Sequence, residues 1–192
     1  MGFTTTAAVS GALLTTLLLA GCTSPSSNVD TSSTSESAVE VSFVEEMFVL
    51  MMIPHHEQAV EMAELILAKD DIDPRVVELA EGIMDAQEPE IETMRGWLAE
   101  WGVAEWDSSM ADMGHGDGMM SDSDLAALDV ASGADATRLF LEQMIVHHDG
   151  AIEMAQAVVD SGQDSDVIAL AQAVIDGQTT EINIMRELLN EL

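Results

Sequence analysis

The chain has 192 residues, 47% of them apolar, and sets 36 acidic side chains against 5 lysines and arginines for a formal charge of −31. That is enough apolar matter for one domain with a true core. The charge repels phosphate backbones, which excludes nucleic acid as a partner; otherwise it describes a solvated or salt-adapted surface that attracts cations non-specifically.

Residues 1–21 carry no charged side chain, and the apolar run at 12–20 is too short to span a bilayer. The segment reads as the apolar core of a signal peptide, although its first residues lack the usual lysine or arginine. Directly after it, Leu19-Ala20-Gly21-Cys22 resembles a bacterial lipobox. Cys22 is then the expected lipidation site, and the protein an extracytoplasmic, membrane-anchored lipoprotein at the cell surface or in the periplasm. Cys22 is the only cysteine, so no internal disulfide can form. Residues 22–40 are rich in Ser and Thr without apolar periodicity, as befits a flexible tether.

The stretch Met52-Ile53-Pro54-His55-His56-Glu57-Gln58-Ala59-Val60-Glu61-Met62-Ala63 aligns with Met144-Ile145-Val146-His147-His148-Asp149-Gly150-Ala151-Ile152-Glu153-Met154-Ala155 at an offset of 92. Further on, Glu90-Ile91-Glu92-Thr93-Met94-Arg95 matches Glu181-Ile182-Asn183-Ile184-Met185-Arg186 at an offset of 91, one loop residue having been lost. Residues 41–102 and 134–192 are therefore read as two repeated helical hairpins. Each is broken once, at Lys69 to Pro74 and at Asp160 to Ser165, where helix N-cap residues stand. Ser42 and Glu45 have capping-box spacing at the start of the first helix. Apolar residues recur at spacings of three and four, so each hairpin exposes an apolar face, and the expected fold is all-α, a four-helix bundle with approximate two-fold internal symmetry. Pro54 and Pro89 fall where helix is expected, and each predicts a kink or a restart.

On such helices Met52, His55 and Met62 share a face, as do Met144, His147 and Met154, while His56 and His148 stand four residues after the motif methionine. Adjacent histidines diverge by about 100° on a helix, so one of each pair could face inward and the other reach a flank. Di-iron bundles place Glu-x-x-His in the core; here a thioether stands three residues before the first histidine, and no Glu-x-x-His occurs. Thioether with imidazole favours Cu(I), and by extension Ag(I), over iron, magnesium or calcium. Methionines at helical spacing are ordinarily core filler, which is the reading of Met47, Met51 and Met84. Glu61, Glu153, Gln87 and Gln178 also recur and suit supporting or surface roles alike.

Residues 103–133 form a linker longer than a bundle connection needs. It holds Met110, Met113, His115, Met119 and Met120 among glycines, a second candidate soft-metal site. Trp97, Trp101 and Trp106 precede it and are expected to cover the end of the bundle.

At His-His-x-x-Ala-[Val/Ile]-x-Met-Ala, present in both halves, the sequence resembles the bacterial family known as domain of unknown function 305, over roughly Val41 to Leu192. The resemblance implies a ferritin-like four-helix bundle in an exported protein, with copper bound by methionine and histidine in some members. Carried over by position, it nominates Met52, His55, His56, Met62, Met144, His147, His148 and Met154. The expected function is copper sequestration, transfer or tolerance without turnover, with an unidentified protein receiving the metal. Two other readings stand beside it: a copper-dependent oxidase, against which no carboxylate–histidine set is legible, and a structural or partner-binding lipoprotein whose histidines respond to pH.

Overall fold

The structure, a computed structural model, describes residues 41–105 and 118–192. The signal segment with Cys22, the tether, Trp106, Met110, Met113 and His115 lie outside the described residues. The described chain folds into helices α1 (Phe43–Leu67), α2 (Pro74–Trp101), α3 (Asp122–Val130), α4 (Gly133–Ser161) and α5 (Ser165–Glu191). Four of these are long and form the bundle. α1 packs on α2, α4 packs on α5, and α1 joins the two hairpins by packing on α4.

Local chemistry fixes the helix ends. Ser42 and Glu45 cap α1 reciprocally, Asp73 caps α2 with Pro74 at its first position, and Asp164 accepts from the amides of Asp166 and Val167 to open α5. α2 stops at Gly102, which takes the left-handed conformation (φ 69°) that a residue with a Cβ rarely adopts. Of the two outcomes expected at the internal prolines, a restart does not occur: α1 runs through Pro54 and α2 through Pro89. Each costs one helical hydrogen bond, and the continuous buried face on either side holds the helix together. The described end of the linker carries a helix of its own. α3 arises from a second capping box, between Ser121 and Asp124, and is tied down where Gln143 Nε2 and Lys69 Nζ donate to the carbonyls of Asp124 (3.0 Å) and Asp129 (2.7 Å).

The interior falls into two apolar clusters. One gathers the end of α1 from Ala59 to Ile66, the start of α2, the start of α4 up to Met144, and α5 from Ile182 to Leu188. The other gathers α1 from Phe48 to Ile53, the end of α2, α4 from Ala151 to Val158, and the start of α5. Between them along the helices lie the buried polar residues His55 and His56 of α1, Gln87 of α2, His147 and His148 of α4, and Gln178 of α5. Every long helix thus breaks its apolar stripe at the same level and contributes to one polar layer. Among the described residues no helix is long and apolar enough to cross a membrane.

Candidate metal centre

All four motif histidines are buried, at 1% exposure or less. Neither member of a pair reaches an exposed flank; the 100° between neighbours instead separates two kinds of interior environment. The first histidines meet where α1 crosses α4, the rings of His55 and His147 lying 3.8 Å apart between centroids and tilted by 40°. The second histidines turn toward the outer helix of their own hairpin. There His56 Nε2 lies 2.8 Å from Glu90 Oε2, and His148 Nε2 lies 2.6 Å from Glu181 Oε2. A carboxylate can only accept, so Nε2 carries the proton and a neutral ring presents Nδ1 as its lone-pair nitrogen. In both histidines Nδ1 is buried without a hydrogen-bond partner.

His147 shows how costly the layer is. Burial first, and then the neighbouring His55, His148 and His56, hold its protonation well below the ordinary imidazole value of 6.5. Both of its ring nitrogens are buried without a geometrically sound hydrogen bond, and so are the amide atoms of Gln87 and Gln178. An unsatisfied buried polar group costs about 1–3 kcal/mol. A layer built only for packing would be apolar. Neutral imidazoles with vacant lone pairs are, however, the form in which histidine binds metal.

The methionines frame this layer. Met52, Met62 and Met144 are fully buried and Met154 half-buried. Met52 and Met154 belong to the cluster on one side of the histidines, Met62 and Met144 to that on the other. The face shared by Met52 and Met62 along α1 thus divides in three dimensions, and each side takes its two methionines from different hairpins. Among the described residues no group of three or more His, Cys, Asp or Glu side chains is placed to hold a metal ion, and the donors nearest the imidazoles in the two clusters are thioether sulfurs. Unlike hard oxygen sets, that donor chemistry fits a soft monovalent ion.

Of the linker's candidate ligands only Met119 and Met120 are described, and Met120 packs into the cluster of Met62 and Met144. Glu90 and Glu181 are the candidate site residues that reading the sequence missed, since no carboxylate–histidine set was legible there. They form hydrogen-bonded pairs across 34 and 33 residues. The available signal was their recurrence at the head of the second matching segment. Glu181 also lines a surface groove of about 720 Å³ between α2 and α5, together with Glu78, Gly82, Gly177 and Glu187, which leaves this carboxylate reachable from solvent.

Comparison with known proteins places the chain. The family described as "Domain of unknown function (DUF305)" matches residues 45–189. A DUF305 fragment from Deinococcus radiodurans is 30% identical, covering 79% of this chain and 99% of its own, with a TM-score of 0.71. A DUF305 protein from Streptomyces coelicolor, carrying the description of a secreted protein, is 32% identical over 77% of this chain and 93% of its own, with a TM-score of 0.70. CopM in its Cu(II)-bound form is 32% identical over 77% of this chain and 96% of its own, with a TM-score of 0.67, and CopM is also known in Cu(I)-bound and Ag-bound forms. No protein of curated function matches. The chain belongs to the DUF305 family.

Proposed function

From that membership, and from the histidine layer, we propose that this protein is a lipid-anchored, extracytoplasmic carrier that binds Cu(I), with Ag(I) as a surrogate, for copper sequestration, transfer or tolerance. The candidate ligands are Met52, His55, His56, Met62, Met144, His147, His148 and Met154, and no substrate is turned over. Lipid on Cys22 ties the domain to a membrane, and the metal passes to a partner protein. The observation that carries the reading is the set of buried imidazoles of His56, His147 and His148 with vacant ring nitrogens, flanked on each side by a methionine pair. The metal-bound forms of CopM, a protein of closely similar fold, support it.

The test is anaerobic Cu(I) titration against a chromophoric competitor, with the unaltered protein beside a variant carrying Ala at His55, His56, His147 and His148. We expect the variant to bind at least about 100-fold more weakly, a loss of about 2.7 kcal/mol. Equal, weak binding by both proteins contradicts the reading. The His56–Glu90 and His148–Glu181 pairs also lend weight to a copper oxidase, because hydrogen-bonded imidazoles suit Cu(II) as well. Steady oxygen consumption by the copper-loaded protein would favour that alternative.

A further inference from the structure

The end of the linker is fastened to the centre from two sides. Gln58, three residues after His55 and four before Met62, grips the backbone of Met120: its Oε1 accepts from the Met120 amide at 2.7 Å and its Nε2 donates to the Met120 carbonyl at 2.9 Å. Two residues earlier Gly118 lies against α4. A Cβ on Gly118 would stand 2.5 Å from the Val146 carbonyl, 3.0 Å from that of His147 and 3.1 Å from the Gly150 Cα, and its φ of +80° already disfavours any other residue. Gly150 occupies the position that corresponds to Gln58 at the offset of 92. One hairpin therefore supplies the grip and the other leaves room for the strap. Met120 itself is 9% exposed and packs in the cluster of Met62 and Met144.

Resting on the soft-metal reading above, we propose that Met120 is a third thioether ligand on the Met62 and Met144 side of the histidine layer. The chemical class of the ion is a soft monovalent cation, Cu(I) or Ag(I), for which thioethers are favoured donors. The linker then completes the helix site at this point instead of forming a separate clamp, and the two sides of the layer differ by one sulfur. A two-point backbone clamp is also what a ligand on a connecting segment needs, since it removes the ordering cost before the metal arrives.

The experiment compares the unaltered protein with Met120→Leu and with Met84→Leu, a methionine packed on the same cluster that is read as core filler. Leucine conserves volume well enough that both variants keep the fold, at a cost under about 1.5 kcal/mol. Each protein is loaded with Cu(I), its sulfur neighbours are counted by copper-edge X-ray absorption, and its affinity is measured by competition. Met120→Leu should show fewer sulfur neighbours per copper and bind about tenfold more weakly, while Met84→Leu matches the unaltered protein. The proposal is overturned if Met120→Leu keeps the sulfur count and affinity, or if Met84→Leu lowers both equally. Absence of copper-bound sulfur in the unaltered protein overturns the functional reading itself, a result distinct from either of these.

Discussion

On the side of the histidine layer that holds Met52 and Met154, the bundle is finished by packing and by a clasp. Trp97 and Trp101 pack on the cluster with their rings 6.2 Å apart, and buried Glu45 reaches across to accept from the amides of Gln163 (2.6 Å) and Asp164 (2.5 Å) at the start of α5. On the side of Met62 and Met144, leucines occupy the positions matching the tryptophans, Leu188 and Leu192 at the offset of 91, and the groove at Glu181 opens nearby. The residue matching Glu45 is Thr137, whose hydroxyl only turns back to the carbonyl of Gly133 in its own helix. There the linker strap does the covering. Similar motifs thus sit in two settings, one closed by the bundle's own helices and one by a segment from outside it.

That difference can be broken most forcefully at the thioethers. Replacing Met52 and Met154 by Leu removes both sulfurs from their side and should weaken Cu(I) binding by about 1000-fold, whereas Leu at Met62 and Met144 leaves Met120 in place and should cost about 100-fold, about tenfold for each sulfur lost while one remains. Competition titrations of the two double variants decide it, and equal losses would erase the asymmetry.

The clasp is tested by stability. Glu45→Ala leaves the backbone amides of Ser42, Gln163 and Asp164 without their acceptor and should cost about 2–4 kcal/mol in chemical denaturation, while Thr137→Ala should cost under about 1 kcal/mol. Burial works to raise the Glu45 carboxyl, but hydrogen bonds from Ser42, Asp164 and Gln163 prevail and hold it below its ordinary 4.5. Its contribution is therefore complete above the unfolded value and lost as pH falls through the folded one.

The carboxylates that orient the second histidines come next. Glu90→Gln and Glu181→Gln should each lower metal affinity by about tenfold, as removal of a ligand's hydrogen-bond partner does elsewhere. Wild-type affinity in both variants would remove these residues from the centre.

The smallest effect belongs to the layer in the metal-free protein. His147→Leu should raise stability by about 1–2 kcal/mol, because it removes a buried polar group with unmet nitrogens. It should also flatten the acid limb of the stability profile. His147 titrates in the folded protein well below 6.5, so the unfolded chain takes up the proton first, and stability present above that pH is lost below it. Thermal melts between pH 5 and 8 with and without the substitution check both points.

The helices and their caps were legible because each is local. Ser42 and Glu45, Asp73 with Pro74, and Asp164 announce helix starts within four residues of themselves, and the stripe of apolar residues carries the rest. α3 was not read, since nine residues in an acidic linker carry too little periodicity, although its Ser121 and Asp124 were in plain capping order. At Pro54 and Pro89 the helices continue without a restart, because a long buried face on either side outweighs local propensity. In the centre, the motif named the histidines and methionines but not their partners. Which helix stands opposite His56, and that Met120 returns to the cluster of Met62, depend on how the hairpins pack, and no spacing within a helix encodes that.

A soft-metal carrier of this kind requires the ion to lie inside the bundle, at the histidine layer and within reach of methionine sulfur. Anomalous diffraction from crystals of the protein loaded with Cu(I) or Ag(I) locates it directly. Peaks are expected beside His55 and His147, between the two apolar clusters. Peaks confined to surface carboxylates, with the layer empty, would contradict that placement.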